Sequence, residues 1–220
     1  MADTISTTAH VHHHAHHFES AEAEFEAAKQ GMWIFLVTEV LMFGGLFVAY
    51  GIFRGMYTEM FHEAHKMLNV KMGAINTVVL ITSSLTMALA VSSTQRGRKD
   101  RAILLLCTTF LLSCCFLVIK FFEYQHKFQD GLLPGGYFTN QELLHFSPKS
   151  PLFFSLYFVM TGLHGVHVLI GMGLMIWLLR RTLRDDFGPE YYTPIELVGF
   201  YWHFVDLVWI YLFPLLYLVS

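Results

Sequence analysis

Apolar residues fall into five long blocks separated by short polar stretches. The blocks cover about 31–53, 73–94, 102–122, 153–179 and 195–219. A bilayer core of about 30 Å takes roughly 20 apolar residues as a helix, and each block is long enough. None shows the sustained alternation of a barrel strand, and all are too long for one. The pattern therefore predicts an all-α, polytopic membrane bundle of five transmembrane helices. The first block follows 30 polar residues and has a membrane-length core, so it does not read as a cleavable signal peptide. Within the blocks, Gly162, Gly165, Gly171 and Gly173 predict close helix approach in the fourth span. Asn76, Thr77, Thr82, Ser83, Ser84 and Thr86 predict hydrogen bonds across helices, or back to their own carbonyls, in the second.

Composition narrows the function classes. Of 220 residues, 55% are hydrophobic and only 14% charged, against about 25% charged in a soluble domain. Lys and Arg number 14 against 17 Asp and Glu, so no basic excess points to nucleic acid. Three cysteines, at 107, 114 and 115, lie inside an apolar block. They read as small hydrophobes rather than a disulfide framework.

Two regions follow, a polar tail over 1–30 and a transmembrane domain over 31–220. The tail carries His10, His12, His13, His14, His16 and His17, followed by a helix-forming stretch, 18–26. It reads as a polar tail with a short amphipathic helix at the membrane surface. A His-rich tract can also bind transition metals weakly. Basic residues are densest in 95–101 (Arg96, Arg98, Lys99, Arg101) and 180–194 (Arg180, Arg181, Arg184). The positive-inside rule puts both loops in the cytoplasm, with the N-terminus inside and the C-terminus outside.

Ionisable groups within the spans carry the most information. A charge at the bilayer centre costs about 2.5–3.5 kcal/mol on the insertion scale. Such a group must be neutral, paired or turned toward protein. Glu39 lies mid-span in the first block. It reads either as a proton-responsive or lipid-contacting group, or as a packing group bonded to a Ser or Thr of the second span. His164 and His167 in the fourth block are three residues apart, as are His203 and Asp206 in the fifth. Glu196 lies seven residues before His203. These five side chains could ligate a metal. The structural reading is a buried imidazole–carboxylate network locking the two helices together. Metal sites in bundles usually draw on more helices, and the single HxxH falls short of the several His boxes of a membrane oxygenase. Lys120 and Glu123 have the spacing of an ion pair at the end of the third span.

Three motifs carry a family resemblance. They are Phe35-Leu36-Val37-Thr38-Glu39-Val40-Leu41-Met42-Phe43, Gly162-Leu163-His164-Gly165-Val166-His167-Val168-Leu169-Ile170-Gly171, and Tyr201-Trp202-His203-Phe204-Val205-Asp206-Leu207-Val208-Trp209. Asn76-Thr77, Glu123-Tyr124 and Asp130-Gly131 lie between them in family order. Together they resemble subunit III of the haem–copper terminal oxidases, from about Lys29 to the C-terminus, in its five-span bacterial form.

The resemblance implies a non-catalytic integral subunit of a respiratory, proton-pumping cytochrome c oxidase. Haem and copper would belong to partner subunits I and II, leaving no catalytic residue, metal or redox centre in this chain. His164, His167, His203, Asp206 and Glu123 would form a structural polar network. Glu39 would be lipid-binding or proton-responsive, and Arg180 would contact a lipid phosphate. Phospholipids, a respiratory supercomplex and the bacterial cytoplasmic membrane complete the implied setting. Relative to seven-span members, two helices before Glu39 are missing, which removes one wall of the family's lipid cleft. Glu39 and Tyr201 favour the cytochrome c branch. A quinol oxidase subunit III or a nitric oxide reductase-associated homologue are alternatives within the family. A membrane metal transporter is the rival from another class, motivated by the His-rich tail and the intramembrane His and Asp.

Overall fold

The computed structural model describes residues 20–218, without the Ala21 side chain. The His-rich tract therefore lies outside the described residues. Seven α-helices follow one another: α1 (Ala21–Met56), α2 (Thr58–His65), α3 (Val70–Gln95), α4 (Lys99–Gln129), α5 (Gln141–Phe146), α6 (Ser150–Leu183) and α7 (Thr193–Phe213). Five of them, α1, α3, α4, α6 and α7, are long and apolar enough to cross a membrane. Among the described residues there is no strand. Two isolated bridges, Leu132–Phe138 and Gly188–Tyr191, brace loops.

Each helix is longer than its apolar block because polar turns extend it at the ends. The stretch before the first span is not a separate surface helix. Ser20 caps it, its hydroxyl accepting from Ala23 N at 3.1 Å, and α1 runs unbroken from there to Met56. Asn69 caps α3 and Asn140 caps α5 in the same way. Prolines sit in the first turns of α6 and α7, where a missing N–H costs nothing. At the other ends, α3 and α4 stop at Gly97 and Gly131, both with positive φ. The amide two residues past each cap bonds back to the helix, Arg98 N to Ser93 O and Leu132 N to Lys127 O. At the end of α6, Asp185 takes the left-handed position instead, at φ 64°.

α7 is the centre of the bundle. Of its apolar window 56% is buried, against 6% for α1. It packs on α3, α6 and α1, while α4 pairs with α3 and α6. The α6–α7 contact is tight at one point: a Cβ added at Gly171 would lie 2.7 Å from the Trp202 ring. Pro214 has no N–H to continue the α7 ladder, and the chain passes into a π-turn over Pro214–Leu218. That turn buries Leu216 and Tyr217. On the same side of the bundle, α2 is pinned by His65, whose Nε2 donates to Tyr217 O at 2.8 Å. Phe61 of α2 meets the Tyr50 and Phe153 rings, each at 5.3 Å.

Candidate functional site

The intramembrane polar groups do not form one network. They separate into distinct clusters set by which helices touch.

The first joins α1 to α6. Along α1 the inward positions Met32, Leu36, Glu39, Phe43, Leu46 and Tyr50 recur three or four residues apart, so Glu39 belongs to the packed stripe. Its Oε2 lies 3.0 Å from His167 Nε2, and the two side chains are 15% and 10% exposed. His167 Nδ1 is 2.8 Å from Leu163 O, one turn earlier in its own helix. The Tyr201 hydroxyl donates to His167 O at 3.0 Å, and the Phe43 ring meets the imidazole at 5.2 Å. Glu39 thus bonds α6, and not a Ser or Thr of α3, because α1 leans on α6 and α7.

The second lies between α3 and α7. Ser84 Oγ is 2.7 Å from His203 Nδ1. Asp206, 2% exposed, lies beside Ser84, yet among the described residues neither of its oxygens has a donor in bonding geometry. Trp202 Nε1 donates to Ser83 and Trp209 Nε1 to Thr77, both at 3.1 Å. The small polar residues of α3 therefore serve the indoles and imidazole of α7.

His164 stands apart. It is 1% exposed, and its ring packs against Phe116 at 5.6 Å and Trp209 at 5.3 Å. Neither of its nitrogens has a hydrogen-bond partner among the described residues. Facing the core, one turn from His167, it is held by aromatic contact rather than by a carboxylate.

The third cluster is ionic. Lys120 Nζ donates to Glu123 Oε2 at 2.9 Å, with side chains 9% and 2% exposed. The pair is buried rather than at a helix end, since α4 continues to Gln129. Tyr157 donates to Glu123 Oε1 at 2.9 Å, and Tyr217 donates to the same oxygen. Lys127 approaches that oxygen to 3.8 Å. Lys120 also lies 4.6 Å from the Trp209 ring centre and 5.4 Å from those of Tyr157 and Tyr217. One carboxylate thus faces two ammonium groups, with ring faces sharing the surplus positive charge. Lys120–Glu123 is visible in sequence as an i,i+3 pair. Tyr157 and Tyr217 are not, because only the α6 packing and the π-turn bring their hydroxyls there.

At the basic end of the bundle, Glu196 Oε1 pairs with Lys29 at 3.2 Å. Arg180 is exposed at the end of α6, next to Arg181, which pairs with Asp186 at 2.9 Å. Among the described residues, no three His, Cys, Asp or Glu converge to hold a metal ion.

Comparison with known proteins adds the family. A family model described as cytochrome c oxidase subunit III matches residues 5–220. The chain is 33% identical to a cytochrome c oxidase subunit 3 of Corynebacterium diphtheriae, over 86% of this chain and 87% of that one. It is 28% identical to a cytochrome bo(3) ubiquinol oxidase subunit 3 of Pseudomonas aeruginosa, over 96% and 91%. A haem–copper oxidase subunit I+III of Aeropyrum pernix is 30% identical over 87% of this chain and 22% of its own length. With five membrane-spanning helices and a match along nearly its whole length, the chain belongs to the cytochrome c oxidase subunit III family.

Proposed function

We propose that this chain is the non-catalytic integral subunit III of a bacterial respiratory cytochrome c oxidase. The observation that carries the reading is the meeting of the three motif stretches at one level of the bundle. Glu39 of the first bonds His167 of the second, and Tyr201 of the third bonds the carbonyl of His167. Phe43 and Phe204 close the contact at 6.2 Å. A motif set that assembles as a helix junction supports a scaffolding role for its histidines.

In this reading subunit I is the direct partner, supported by the relative in which I and III form one chain. Subunit II, phospholipids at Glu39 and Arg180, and a wider respiratory assembly follow from the resemblance. The chain sits in the cytoplasmic membrane with its N-terminus and the basic 95–101 and 180–194 loops inside. It sustains proton uptake and the lifetime of the oxygen-reducing, proton-pumping complex. Glu39 and Tyr201, with relatives at 33% identity, favour cytochrome c over quinol as electron donor.

The test is purification through this chain in mild detergent, followed by the optical spectrum, subunit composition and donor assay. Haem–copper subunits should co-purify and oxidise reduced cytochrome c. Preferential ubiquinol oxidation would move the chain to the quinol branch. A haem-free preparation with stoichiometric metal, lost on His164→Ala, would overturn the reading in favour of a metal transporter.

A further inference from the structure

One hydroxyl of α3 behaves differently from its neighbours. Thr77, Thr82, Ser83 and Thr86 each donate to a carbonyl of their own helix. Ser84 instead reaches across to α7, where its Oγ is 2.7 Å from His203 Nδ1 and Asp206 lies beside it. A hydroxyl has one hydrogen to give. If Ser84 gives it to the imidazole, only a lone pair is left for Asp206. If Ser84 gives it to Asp206, His203 Nδ1 must carry a proton of its own.

The charges around Asp206 decide between these arrangements. It is buried in mid-span, and no cation among the described residues answers it. α3 has no ionisable residue between Lys71 and Arg96. On α6, His167 is taken by Glu39 of α1, and His164 packs on the Phe116 and Trp209 rings. Lys120 of α4 is held by Glu123 and by Tyr217 of the π-turn, and Lys29 of α1 by Glu196. A carboxylate here would lack both a counter-charge and donors, a combination that buried groups avoid. A carboxylic acid needs neither, because it is itself a donor.

We infer that Asp206 is held as the neutral acid and acts as a positioning residue, setting the tautomer of His203 through Ser84. Donation runs one way along the three groups. The Asp206 O–H points to Ser84 Oγ, and the Ser84 O–H points to His203 Nδ1. His203 then carries its proton on Nε2, which is a donor rather than a lone pair. The proton on a buried carboxyl of α7 thus fixes, two side chains away, the hydrogen-bonding character of the half-buried imidazole. The same chain of donation closes the α3–α7 contact without placing a charge inside it.

Infrared difference spectra of the intact complex, wild type against Asp206→Asn, test the proton. A carboxylic-acid C=O band should be present in the wild type and lost in the variant. It should shift in Ser84→Ala, where the acid loses its acceptor. If Asp206→Asn fails to accumulate, heavy-carbon labelling of aspartate in the wild type should displace the same band, since Asp206 is the one buried aspartate among the described residues. Nitrogen NMR of the histidine-labelled full chain tests the tautomer. The His203 signals, assigned by their loss in His203→Gln, should show an unprotonated Nδ1 that accepts a hydrogen bond and a protonated Nε2. Asp206→Asn can donate from its amide, so it should keep that tautomer. Carboxylate bands in place of the C=O band, a protonated Nδ1, or a C=O band indifferent to Ser84→Ala would each overturn the inference.

Discussion

Glu39 Oε2 and His167 Nε2 share a hydrogen bond of 3.0 Å that ties α1 to α6 across 128 residues of sequence. The imidazole's other nitrogen faces the Leu163 carbonyl at 2.8 Å. A carbonyl only accepts, so Nδ1 carries a proton. The Glu39 contact then needs one more proton, held by the carboxyl or by the imidazole. Glu39→Gln can supply that proton from its amide and should assemble with the lifetime of the parent. Glu39→Leu leaves Nε2 buried without a partner, a cost of about 1–3 kcal/mol. The detergent lifetime of the complex measures both. Failure of the Gln variant to assemble, like the Leu variant, would show that a charge, not a hydrogen bond, is required.

Glu123 is the only carboxylate that either buried lysine of its cluster pairs with among the described residues. Glu123→Leu would leave Lys120 and Lys127 facing each other unpaired. Removing one partner of a buried ion pair costs about 3–5 kcal/mol. Adding Lys120→Met should recover part of that loss. Thermal midpoints of the purified complex supply the three values. Strictly additive losses would refute the coupling.

Helix approach at α6–α7 is specific to one glycine. Gly171→Ala puts a methyl 2.7 Å from an indole locked by its bond to Ser83. Overpacking of this kind costs about 1–3 kcal/mol. Gly173→Ala meets nothing within 4 Å and should be neutral or slightly stabilising, since alanine favours helix. A lower thermal midpoint for Gly171→Ala alone is the expected outcome. Equal midpoints would show that α7 can shift without cost.

These contrasts mark what could be read from sequence. Five spans were legible because each apolar block exceeds membrane length. Their polar ends were not, because capping by Ser20 and Asn69 and the glycine stops continue each helix past its apolar part. That Glu39 must be neutral, paired or turned toward protein was legible from its depth. Its partner was not, since nothing local distinguishes His167 on α6 from a Ser of α3. Lys120–Glu123 follows from spacing alone, whereas Tyr217 reaches it from the π-turn that begins at Pro214. The four residues His164, His167, His203 and Asp206 look alike as mid-span polar groups. Packing gives them different surroundings: an aromatic sandwich, a carboxylate bond, a serine bond and a site with no donor in place.

The proposed role predicts a separation between spectrum and endurance. If haem and copper reside in partner subunits, stripping this chain from the complex leaves their ligands in place. The absorption spectrum and initial oxygen consumption near neutral pH should then stay close to those of the intact complex. A subunit that sustains proton uptake is felt only as the enzyme cycles, because each turnover consumes protons that must be replaced. Activity of the stripped complex should therefore decay several-fold faster per turnover, while an idle sample keeps its activity. Adding back the chain should restore the turnover lifetime. Lifetimes that match with and without the chain would remove the protective role, and loss of the haem spectrum on stripping would assign it a more direct structural part in the redox core.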